Sequence, residues 1–139
     1  MHASTPDASL DPPRRLRASH IAIAGVFVGA GILHFVIPRS YLAIVPALFP
    51  ARLFLVYLSG AAEVAGGLGV LLPRTRRWAA IGLIALLAAV FPANVQMLAA
   101  AITAGKPHGQ LALLWLRLPL QPLLMWIIWR AAGRRERTP

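Results

Sequence analysis

Cysteine is absent from this chain of 139 residues. That removes thiol redox chemistry, disulfides, iron–sulfur ligation and cysteine-type zinc sites from what the protein does unaided. Acids are nearly as scarce, four Asp and Glu against 14 Lys and Arg. No second acid accompanies Glu63 inside the apolar runs, which excludes a two-carboxylate mechanism. A Ser/His/Asp constellation and a phosphate-binding glycine loop are also missing. Charged residues of any sign make up only 13% of the chain, about half the usual share in a soluble domain.

In their place stands apolar surface. Hydrophobic residues account for 58% and the mean hydropathy is +0.68, which assigns the chain to the membrane class. Its length allows one domain, nearly all of it taken up by helices running through lipid. The formal net charge of +10 would suggest nucleic acid in a soluble chain. Here the basic residues fall in short clusters between apolar runs, so they read as topology signals and as contacts with anionic headgroups, and no nucleic-acid partner is expected.

Four runs are long enough to span ~30 Å of hydrocarbon at ~1.5 Å per residue. They cover residues 18–37, 53–72, 78–101 and 111–129, and the fourth contains Pro119 and Pro122, which should kink it. Residues 1–17 read as a disordered basic tail, 18–130 as one four-helix transmembrane domain, and 131–139 as a second basic tail. A retained first helix is expected over a cleaved signal, because no small-residue cleavage site follows the first run. Lys and Arg number three before the first run, then two, three and one in successive loops, and four at the end. That alternation predicts an all-α integral membrane bundle with both termini cytoplasmic, in the inner (cytoplasmic) membrane. Trp78 and Trp129 fall at the cytoplasmic boundaries of this scheme, Tyr41 and Trp115 near the outer ones.

The informative residues are those that lipid should exclude: His34 in the first run, Glu63 in the second, Asn94 in the third, Arg117 and Gln121 in the fourth. Counted inward at ~1.5 Å per residue, His34 lies ~5 Å from the outer boundary, Arg117 ~10 Å, Asn94 ~11 Å and Glu63 ~15 Å. Gly60, Glu63 and Gly67 share a face that lets a neighbouring helix approach the carboxylate, and Arg117 and Gln121 share another with Gln110. Pro92 withholds a donor from the Ala88 carbonyl and so opens polar backbone near Asn94. Two readings follow. In one, Glu63 and Arg117 form a buried ion pair and His34, Asn94 and Gln121 are hydrogen-bonding glue. In the other, the five build a polar pocket open to the outer leaflet that takes the head of an amphipathic molecule. Metal is not expected, because His34, Glu63 and Asn94 give one ligand each beside a repelling Arg117. Haem is not expected either: His20 and His34 nearly share a face, but each iron would need a second histidine from another helix.

Four stretches taken in order resemble the DoxX and DoxX-like family of small four-helix membrane proteins. They are Gly31-Ile32-Leu33-His34-Phe35 with Pro38 and Tyr41; Ser59-Gly60-Ala61-Ala62-Glu63-Val64-Ala65-Gly66-Gly67 leading to Pro73-Arg74-Thr75-Arg76; Pro92-Ala93-Asn94; and Leu116-Arg117-Leu118-Pro119-Leu120-Gln121. The resemblance covers roughly residues 18–129. It implies the four-helix fold and association with a membrane redox system, in a family named for a subunit linked to quinone-dependent thiosulfate oxidation. Carried over by position, the motif residues are His34, Glu63, Asn94, Arg117 and Gln121. This chain departs from cysteine-containing relatives, which puts redox catalysis by the protein alone in doubt. The expectation is an accessory subunit of a membrane redox system with a pocket for a quinone or similar ligand, lipid and a redox subunit as partners, and homodimerisation open. The alternatives are a non-catalytic scaffold and a small carrier, the latter disfavoured for want of inverted-repeat bulk.

Overall fold

The computed structural model describes residues 16–43, 45 and 49–133. Among them every regular element is helical: α1 (Ala18–Val36), α2 (Pro38–Leu42), α3 (Arg52–Leu71), α4 (Arg76–Thr103) and α5 (His108–Gly133). All but α2 are long and apolar enough to cross a membrane, so the chain is a multi-pass helical bundle. The tail at 1–15 and the last six residues of the expected C-terminal tail lie outside the described residues.

Local chemistry sets the helix ends. At the start of α1, His20 Nδ1 accepts the Arg17 backbone N–H at 3.2 Å. Pro38 stops α1 and, at the first position of α2, starts the next helix, where its missing N–H costs nothing. The end of α3 is closed by side chains from the following turn: Thr75 Oγ1 donates to Gly69 O at 2.8 Å and Arg76 Nε to Val70 O at 3.0 Å. Gly105, at φ 60°, ends α4, with its own N–H on Ile102 O and that of Lys106 on Ala101 O. The segment after Pro38 is partly helical, as α2. The fourth span is one helix from His108 to Gly133 with Pro119 and Pro122 inside it.

The long helices neighbour one another in chain order, α1 on α3, α3 on α4 and α4 on α5, while the seam returning from α5 to α1 is the slightest. Glycines make the first two seams. A Cβ at Gly31 would stand 2.6 Å from Gly60 O, and one at Gly60 2.6 Å from His34 Cβ, so α1 and α3 meet backbone to backbone. On its other side α3 offers Gly66 to Leu83 and Gly69 to Ala79 of α4. The buried core gathers Ile23, Phe27, Val70, Ala80, Leu83 and Ile128. Each lies toward the end where α1 begins and α5 finishes. There His20, 2% exposed, donates from Nε2 to Ala131 O at 3.2 Å. With Nδ1 already accepting from Arg17, its ring is neutral and ties the first helix to the last. Large apolar side chains such as Trp78, Leu113 and Trp129 face outward, as a lipid-facing surface requires.

Candidate functional site

Four of the five polar residues sort into two separate pairs. On α1, His34 is buried and its Nδ1–H donates to Ala30 O at 2.9 Å. Its Nδ1 also lies 3.5 Å from Glu63 Oε2 on α3. The two helices run in opposite directions, and a helical side chain leans toward its own N-terminus, so His34 leans inward and Glu63 outward until they meet. The register of the seam does the rest: a Cβ at Gly60 would stand 2.6 Å from His34 Cβ, so His34 lies level with Gly60, less than one turn from Glu63 and not the ~10 Å that counting residues gives. Glu63 Oε2 is buried and has no hydrogen-bond partner, since the nearby Nδ1 proton is committed to Ala30.

Tyr41 of α2 completes this pair. Its ring stacks on the His34 imidazole with centroids 3.7 Å apart and planes 26° from parallel. Burial first, and the Glu63 charge second, raise its phenol above the ordinary value of 10.0, against the Arg117 charge, so the hydroxyl keeps its proton. The sequence marked Tyr41 through the outer aromatic belt and the DoxX-like motif, but did not place it among the candidate site residues. That Pro38 would start a helix and swing the ring onto His34 was not foreseen.

The second pair bridges α4 and α5. Asn94 Nδ2 donates to Gln121 Oε1 at 2.8 Å, and Gln121 Nε2 donates to the Leu87 carbonyl. Both side chains are buried. The carbonyl that Pro92 leaves without a helical donor is that of Ala88, as expected, but Gln121 bonds the neighbouring Leu87 carbonyl one residue earlier. Each amide gives one N–H to this chain of bonds, which ties the two helices together.

Arg117 joins neither pair. It is exposed, and among the described residues it forms no ion pair with Glu63. The expected buried Glu63–Arg117 bridge is therefore replaced by the His34–Glu63 contact. Exposure lets the Arg117 guanidinium stay solvated, so it need not pair to avoid a desolvation cost. Its charge still acts on Tyr41 and Glu63 at longer range. Among the described residues no three His, Cys, Asp or Glu come together as a metal-binding group.

A family model described as a domain of unknown function (DUF8561) matches residues 23–132. The chain belongs to the DUF8561 family. The match takes in all four long helices and both polar pairs of this DUF8561 protein. No curated protein and no solved structure matches it.

Proposed function

We infer that this DUF8561 protein is an accessory subunit of a membrane redox system, akin to the DoxX-like chains its motifs resemble, and that His34, Glu63 and Tyr41 receive the polar head of a small amphipathic ligand. The single observation carrying this reading is Glu63 Oε2, a buried oxygen with no hydrogen-bond partner. An oxygen of this kind costs about 1–3 kcal/mol while it stays unsatisfied. A hydroxyl donor from a ligand removes that cost. A hydroquinone fits better than a quinone, because a carboxylate oxygen accepts and a quinone carbonyl has no proton to offer. The Tyr41 hydroxyl, stacked beside the site and held protonated, is a donor for a ligand carbonyl. In the cell, this reading sets the protein in the inner membrane with both termini cytoplasmic, beside a redox subunit, as a monomer or homodimer.

The test is gentle purification into lipid nanodiscs followed by mass spectrometry of the small molecules that remain bound. A hydroxyl-bearing, lipid-soluble compound retained by the native protein and lost in Glu63→Gln supports the reading. Retention of nothing, with a stoichiometric protein partner instead, sinks it. The second reading, a scaffold, is favoured by the Asn94–Gln121–Leu87 network, in which neutral amides tie α4 to α5.

A further inference from the structure

The end of the bundle that carries both termini has a cavity of about 250 Å³ lined by Arg17, Ser19, Trp126, Ile127, Arg130 and Ala131. We propose that this groove between α1 and α5 is a specific site for the headgroup of an anionic phospholipid, which bridges the two helices. Its position, chemistry and setting in the fold support this reading independently.

The groove lies at the boundary of the first and last spans, the level at which phosphates sit in a bilayer. Its volume equals about eight waters at ~30 Å³ each, room for a phosphodiester with part of its glycerol. Arg17 from the start of α1 and Arg130 from the end of α5 both line it, and Ser19 adds a hydroxyl-bearing side chain. Arg130 is held over the Trp126 ring at 4.8 Å, a cation–π contact that helps fix its charge beside the groove. Ile127 and Ala131 supply an apolar floor continuous with the lipid-facing surface of α5, where an acyl chain can lie. Of the seams α1–α3, α3–α4, α4–α5 and α5–α1, the last is the slightest, and the hydrogen bond of His20 to Ala131 lies in it. A bound phosphate that bonds to both arginines would therefore close the bundle where protein contacts close it least.

The experiment is native mass spectrometry and thermal unfolding of the full chain in neutral detergent, with added phosphatidylglycerol, phosphatidylcholine or inorganic phosphate. Phosphatidylglycerol is expected to remain bound and to raise the unfolding temperature, phosphatidylcholine and inorganic phosphate to do neither. The double substitution R17Q/R130Q should weaken phosphatidylglycerol binding about 30-fold, taking the usual contribution of a basic residue near an anionic surface twice over. R130K, which keeps charge but not the planar fork, should fall between. R39Q/R52Q, which removes two arginines from the opposite end, should leave binding intact and reports on folding and general charge. Equal retention of phosphatidylcholine, or binding of phosphatidylglycerol that survives R17Q/R130Q, overturns the proposal. Stabilisation by inorganic phosphate alone overturns the lipid as the source of the phosphate.

Discussion

Gly31 and Gly60 set the distance between α1 and α3, and substituting alanine for either tests both the packing and the site built on it. A methyl at Gly31 would lie 2.6 Å from Gly60 O, where ordinary contact begins near 3.4 Å, and its obstacle is backbone. The helices must part by about 0.8 Å, a shift of the size for which overpacked cores lose ~1–3 kcal/mol. Alanine also has an intrinsic helix advantage over glycine of ~0.5–1 kcal/mol, which would mask part of that loss.

The same chain supplies its own correction, because a Cβ at Gly25 or Gly29 of α1, or at Gly82 of α4, meets nothing within 4 Å. Gly25→Ala, Gly29→Ala and Gly82→Ala carry the propensity gain alone. The difference between Gly31→Ala or Gly60→Ala and these three is the packing cost, expected at ~1–3 kcal/mol. Unfolding in mixed micelles of rising denaturing detergent, followed by circular dichroism, measures it. If Gly31→Ala and Gly60→Ala are as stable as Gly29→Ala, the close approach of α1 and α3 is wrong, and with it the placement of His34 beside Glu63.

Three further outcomes follow from the geometry. A double-mutant cycle on Asn94→Ala and Gln121→Ala should give a coupling of ~0.6 kcal/mol, up to ~1.7, as hydrogen bonds between membrane helices do, and additive losses would separate the pair. Ala51 holds φ 54° at the start of α3, a left-handed conformation costly for any residue with a Cβ, so Ala51→Gly should stabilise by about 1 kcal/mol in the same unfolding assay. Reporter fusions after Arg52 and Lys106 should locate outside the cytoplasm and those after Arg77 and Pro139 inside; a shared side for Arg77 and Lys106 would refute the topology.

The helices were legible because lipid imposes a length and a polarity rule that a short apolar run satisfies or fails. The glycine face of Gly60, Glu63 and Gly67 was also readable from spacing, and α1 is the helix that fills it. Partner choice was not readable. Counting depth along each helix put Glu63 nearer Arg117 than His34, because counts from each helix's outer end ignore the register at which two helices meet, here with His34 level with Gly60. The same omission hid Tyr41: its role depends on where Pro38 turns the chain, which is a matter of three dimensions and leaves no periodic mark. The five polar residues therefore share a region but not one network, with two pairs on different seams and Arg117 outside both.

The two pairs answer different needs, and Glu63 is where that difference can be measured. The α4–α5 seam uses neutral amides that satisfy each other and a backbone carbonyl, which is how helices are tied when a tie is all that is required. The α1–α3 seam already has backbone contact through Gly31 and Gly60, yet it holds an ionisable group with one oxygen buried and unpartnered. A carboxylate in that position is a poor tie, because its desolvation is not offset by a hydrogen bond. Glu63→Gln should accordingly leave stability unchanged or raise it slightly, within ~0.5 kcal/mol, the usual span for a substitution that removes no satisfied contact. Ligand retention, measured on the same sample, should be lost. If Glu63→Gln instead destabilises as much as Gly60→Ala, the carboxylate is part of the packing, and the reason for placing a ligand beside it is gone.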